Sequence, residues 1–134
     1  GSKTPFLNGI DRISLPVRNG EGRLVIRSQA IRQTIREQQL DCLQYCDAAG
    51  HPALQYPDDP SGAELACAGL CDATGRVFGM MPHPEAYLSF WNHPDWRRRR
   101  RQRLHAGEAG AGLQIFINTV EHIRDGRCHE EILR

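Results

Sequence analysis

The sequence predicts a domain that mixes strands with helices, and three observations carry that prediction. Apolar runs of strand length recur between breaks rich in Gly, Pro and Asp. Two of these runs flank a four-residue turn. One amphipathic stripe of helical period lies near the C-terminal end.

Ile10 to Val17 alternates and reads as a strand, Asn19-Gly20-Glu21-Gly22 as a tight loop, and Arg23 to Arg27, around Leu24 and Ile26, as a second strand. Ser28 is placed as an N-cap for a helix through Glu37, whose apolar positions are Ala30, Ile31 and Ile35. Asp41 to Asp47 reads as a strand, and Gly50 to Gly62, with its Pro, Asp and Gly, as loop. Glu64 to Cys71 and Arg76 to Met81 flank Asp72-Ala73-Thr74-Gly75, a hairpin signal in which Gly75 can take a positive φ angle. Gly107 to Gly112 reads as a flexible connection. Beyond it Leu113, Phe116, Ile117, Val120 and Ile123 predict an amphipathic helix whose stripe faces a core. No internal repeat is present.

At 134 residues the chain suits one domain. Its 17 basic and 16 acidic residues nearly cancel, so global charge predicts neither nucleic acid nor membrane as a partner. No apolar run reaches the roughly 20 residues that span a bilayer. The start shows no signal peptide, which makes a cytoplasmic setting the expectation. Gly1-Ser2 reads as a tag remnant, leaving residues 3–134 as the domain. The Arg97 to Arg101 run, with Arg103, is the one charge cluster. It suits a solvated helix face or mobile loop, an acidic partner surface, an anionic substrate or, with no wider basic face to support it, nucleic acid.

Five cysteines raise metal and disulfide readings. Cys42/Cys46 and Cys67/Cys71 are each four residues apart in strand-like segments, which sets the thiols about 13 Å apart. One zinc ion, with Zn–S bonds of about 2.3 Å, cannot bridge that gap. With Cys128 the count is odd, against a disulfide framework. No metal site is expected, and the thiols read as reduced and buried.

The segment with chemical content is Val77-Phe78-Gly79-Met80-Met81-Pro82-His83-Pro84-Glu85. An apolar strand runs into a histidine held between two prolines. Each proline fixes its own φ and biases the residue before it toward extended backbone. In an extended chain His83 and Glu85 point to one side, with Cα atoms about 6.6 Å apart. The carboxylate then orients one imidazole nitrogen and leaves the other as a base. His93-Pro94-Asp95 repeats the tripeptide ten residues on, in an irregular stretch, and shows that spacing alone is weak support.

Gly79-Met80-Met81-Pro82-His83-Pro84-Glu85 resembles the signature of the PurQ-type class I glutamine amidotransferases, the glutaminase component of phosphoribosylformylglycinamidine synthase. Leu15-Pro16-Val17-Arg18-Asn19-Gly20-Glu21-Gly22-Arg23 is similar to that family's P-V-x-H-G-E-G-R segment. Cys42-Leu43-Gln44-Tyr45-Cys46-Asp47, Tyr56-Pro57-Asp58-Asp59-Pro60-Ser61-Gly62 and Ala68-Gly69-Leu70-Cys71 follow in the family's order. The resemblance covers residues 5 to 126. It implies the C-terminal portion of a flavodoxin-like α/β domain, with a mixed sheet, a β-hairpin and a C-terminal helix. It implies glutamine hydrolysis, with the ammonia delivered to a synthetase partner that itself uses ATP and Mg. No cofactor is implied for this chain.

By the same resemblance His83 is the catalytic base and Glu85 its orienting carboxylate, while Asn19, Gly20 and Glu21 match a segment near the glutamine pocket. Asn19 stands where the family has His. The family's nucleophilic cysteine, in a Gly-x-Cys-x-Gly elbow, has no counterpart here, so residues 3–134 are expected to be a partial domain, inactive alone. Cys71 is the best substitute within the chain, but its turn-and-strand context is not an elbow. The alternative function is a non-catalytic glutaminase-like module that binds a synthetase. A partial domain also exposes strand edges and apolar faces, which predicts self-association.

Overall fold

The computed structural model describes residues 3–18, 20, 22–102 and 109–126. Asn19, Glu21, Arg103 and Cys128 lie outside them. The chain divides into two compact units. The first combines the residues up to Thr4 with Val17–Pro82, and the second combines Pro5–Pro16 with the chain from His83 onward.

In the first unit α1 spans Gln29–Glu37 as its cap predicts. Ser28 is extended (φ −151°, ψ 158°) and its Oγ accepts the Ile31 N–H at 3.3 Å. A cap of this kind contributes about 1 kcal/mol. Of the α1 side chains only Ile35 is buried.

The sheet has three short antiparallel strands in the order β1 (Leu43–Gln44), β2 (Cys67–Cys71), β3 (Phe78–Met80). Gly69 of β2 pairs with Leu43 on one side and Met80 on the other. A Cβ there would lie 2.9 Å from the Phe78 ring and 3.1 Å from the Gly79 carbonyl, so this central position needs glycine. Tyr45, Ala53, Ala63 and Ala68 form the core, with Leu24 and Leu43 against it.

The hairpin lies where the turn signal put it. Asp72 N–H donates to the Val77 carbonyl, and the Asp72 carboxylate accepts the Val77 N–H, both at 3.0 Å. Gly75 takes φ +71°, and its carbonyl accepts the Thr4 hydroxyl at 2.7 Å.

Other expected strands are corrected. Arg23–Arg27 forms no ladder, because the Glu64 side chain takes the place of a neighbouring strand. One carboxylate oxygen of Glu64 accepts the Ile26 N–H at 2.9 Å and the other pairs with Arg32. Glu64 N–H in turn donates to the Leu24 carbonyl. Residues 64–66 are a short 3-10 turn, so the predicted Glu64–Cys71 strand begins only at Cys67. Asp41–Asp47 shrinks to β1 and one isolated bridge, Cys46 with Pro52. Ile10–Val17 is irregular. The mixed sheet expected from the resemblance is represented, among the described residues, by antiparallel strands only. The composition of sheet plus helices remains α/β.

In the second unit α3 spans Leu113–Arg124, over the predicted stripe but with a different orientation. Ile115 and Asn118 are its buried residues, whereas Phe116, Ile117, Val120 and Ile123 face outward, Ile123 to 60%. The inward polar residue is satisfied. Asn118 Nδ2 donates to the Phe6 carbonyl (3.0 Å) and the Asn8 carbonyl (2.8 Å), and its Oδ1 accepts from Gln114 at 2.9 Å. A buried carboxamide with all three bonds made is tolerated where an unpaired one is not. Among the described residues no helix is long and apolar enough to cross a membrane.

Candidate active site

The chain passes from the first unit to the second at Pro82–His83, two residues beyond β3. His83 is non-helical (φ −105°, ψ 88°), as a residue before proline should be. Its N–H donates to the Pro16 carbonyl at 2.8 Å. Pro84 then opens a 3-10 turn over Pro84–Tyr87, its fixed φ suiting the first helical position. The predicted partners meet: His83 Nδ1 lies 2.7 Å from Glu85 Oε1. The backbone that brings them together is corrected, because Glu85 sits in a turn and not in an extended pair.

A carboxylate only accepts hydrogen bonds, so Nδ1 is the donor to it. The neutral imidazole then carries its lone pair on Nε2. His83 is about one third exposed and Glu85 rather more than half, so the ring has access to a further group. This arrangement can take a proton at Nε2 and hold the resulting imidazolium.

The second copy of the tripeptide is built differently. His93 Nδ1 accepts the Asp95 backbone N–H at 3.0 Å, and the Asp95 carboxylate pairs with Arg98 at 2.8 Å. The His93 ring packs edge-on to Tyr87 at 5.5 Å. Burial first, then the Arg99 charge, hold its pKa below the ordinary histidine value. His93 is therefore packed into the unit, with its carboxylate neighbour committed elsewhere.

Two glycines of the expected flexible connection support the His83–Glu85 turn, and sequence reasoning missed them. Gly112 N–H donates to the Tyr87 carbonyl at 3.0 Å and Gly110 N–H to the Leu88 carbonyl at 2.9 Å. A Cβ on Gly112 would fall 2.0 Å from the Pro84 carbonyl oxygen, and one on Gly110 2.3 Å from the Tyr87 carbonyl oxygen. The only sequence signal was the spacing Gly110-Ala111-Gly112 directly before a helix.

Of the predicted glutamine-pocket residues, Asn19 and Glu21 are outside the described residues. Gly20 belongs to the first unit and is exposed, with nothing within 4 Å of a would-be Cβ.

Two thiols of the first unit, Cys42 and Cys67, lack the character of a nucleophile. Burial, and then a hydrogen bond with Cys71, push the Cys42 pKa up to about 12, and burial pushes Cys67 to about 11. Both stay protonated at neutral pH, where attack needs the thiolate. Cys71 ends β2 opposite Phe78, inside the hairpin and not on an elbow. Among the described residues no three His, Cys, Asp or Glu side chains gather as a metal set.

Residues 1–123 match the CobB/CobQ-like glutamine amidotransferase domain. The chain is 36% identical over 123 residues to the phosphoribosylformylglycinamidine synthase subunit PurQ of Methanococcus maripaludis, covering 87% of this chain and 45% of that protein. The PurQ subunit of Dehalococcoides mccartyi is 36% identical over 119 residues (89% and 43%). The human phosphoribosylformylglycinamidine synthase is 33% identical over 125 residues (92% and 9%). The chain thus spans less than half the length of these relatives. A match over nearly its whole length, with the His83–Glu85 pair assembled inside it, places the chain in the CobB/CobQ-like glutamine amidotransferase family.

Proposed function

We propose that this chain is the base-bearing part of the glutaminase of a cytoplasmic phosphoribosylformylglycinamidine synthase, in purine biosynthesis. Residues 3–134 are on this reading a partial flavodoxin-like domain. The observation that carries the reading is the 2.7 Å His83–Glu85 pair, set on a proline-fixed turn. A cysteine from a further part of the domain attacks the glutamine carboxamide, and His83 Nε2 takes the thiol proton. His83 then returns that proton to the departing ammonia, and water hydrolyses the thioester to glutamate. Glu85 holds the ring and balances its charge. Asn19, Gly20 and Glu21 border the glutamine pocket. The ammonia passes to a synthetase partner, which uses ATP and Mg.

The test is glutamate release from glutamine by the 134-residue chain. Without the elbow cysteine we expect none above background. Release that disappears in His83→Ala would contradict the missing-nucleophile reading. The outward apolar stripe of α3 supports self-association of this chain, and a monodisperse monomer by light scattering is the result against it.

A further inference from the structure

The arginine run has a structure of its own, separate from the His83–Glu85 pair. Residues Trp96–Arg101 form α2, a single short helix with no buried side chain. It stands beside an aromatic ladder rooted in the interior of the second unit. Phe90 is buried and meets Trp91 edge-to-face at 5.4 Å, and Trp91 meets Trp96 in the same manner at 5.1 Å. Two guanidinium groups lie on these rings, Arg97 at 5.3 Å from the Trp96 centre and Arg100 at 5.5 Å from the Trp91 centre. Trp96, Arg97, Arg100 and Arg101 border one open hollow.

Two physical points follow. Like charges three and four apart on a helix repel, and Arg97 stands in that relation to both Arg100 and Arg101. A counter-charge delivered from outside relieves the repulsion. Stacking also restrains each guanidinium plane while leaving its N–H fork available to a carboxylate, so less entropy is lost when a partner binds. Exposed Trp and Arg on a rigid base are the residue types that dominate protein–protein hot spots.

We propose that the Trp91–Trp96–Arg97–Arg100–Arg101 surface docks a carboxylate-rich surface of a protein partner. Nucleic acid fits less well. Its single strands bind by stacking bases on open aromatic faces, and here Arg97 and Arg100 already cover one face of each ring. The five arginines also sit on a helix only about 9 Å long, within a chain of net charge +1.

Trp91 and Trp96 are the chain's two tryptophans, so fluorescence excited selectively in tryptophan, and not in the three tyrosines, reports on this surface. The experiment titrates the full chain with poly-L-glutamate and, separately, with a single-stranded DNA oligonucleotide of equal charge. We expect a saturable emission change with poly-L-glutamate that weakens as salt is raised. In the double variant Arg97→Gln/Arg100→Gln the apparent affinity falls about tenfold, as loss of two charge-assisted contacts implies. Arg36→Gln, on α1 of the first unit, stays within about twofold of the parent. Far-UV circular dichroism confirms that each variant is folded. The proposal is overturned by no saturable change with poly-L-glutamate, by undiminished binding in the double variant, or by an equal loss in Arg36→Gln. Tighter binding of the oligonucleotide also overturns it, in favour of nucleic acid.

Discussion

His83→Ala, made in a polypeptide that joins this segment to the elbow cysteine, should lower glutamine-dependent turnover by about 10⁴-fold or more, the scale on which loss of a triad base acts. The loss should fall on kcat, since the imidazole acts on a proton and does not hold the substrate. Amidation driven by added ammonium salt should survive, because it bypasses the glutaminase. Glu85→Gln should cost less, about 10²-fold, at the low end for a group that assists proton transfer. Glu85 is more than half exposed, and water screens its effect on the imidazolium. The glutamine amide can also still accept the Nδ1 hydrogen bond through its oxygen. Equal losses in both variants would show that the carboxylate does more than orient. No loss in His83→Ala would remove His83 from the mechanism.

The second large effect is expected at Gly112. Its backbone is ordinary right-handed helical (φ −63°, ψ −26°), so alanine meets no conformational objection there. Through the lower entropy of the unfolded chain alone, Gly112→Ala would stabilise the protein by about 0.4–1 kcal/mol. The structure predicts the opposite sign, because the added methyl falls 2.0 Å from the Pro84 carbonyl oxygen, an atom of the backbone that cannot rotate away. Forced overpacking of this sort costs about 1–3 kcal/mol, which lowers Tm by several degrees in a chain of this size. Because the displaced residue is Pro84, the His83–Glu85 geometry should loosen as well. Thermal denaturation decides the sign, and an unchanged or raised Tm would show that Gly112 does not lie against Pro84.

What could be read in the sequence was what local rules govern. Ser28 capped its helix, Asp72 and Gly75 turned the chain, and two prolines set His83 apart, each through chemistry within a few residues. What failed depended on distant residues. The stripe on α3 is real, but periodicity states that a stripe exists and not which surface receives it. Three hydrogen bonds turned Asn118 inward instead. Arg23–Arg27 alternated like a strand, yet a single carboxylate, Glu64, supplied its partner. Within the candidate site the meeting of His83 with Glu85 could be read from the flanking prolines. Gly110 and Gly112 could not, because the need for a missing side chain depends on what lies opposite.

Asn118 also bears on the order in which the chain can fold. Its carboxamide closes on carbonyls 110 and 112 residues away, and Thr4 reaches 71 residues to Gly75. The hairpin of the first unit needs only neighbours and can form early. The second unit has to wait for a loop of more than a hundred residues to close, and the entropy of that closure is spent before any contact offsets it. On a ribosome, the Phe6 and Asn8 carbonyls therefore remain without their Asn118 partner until α3 has emerged.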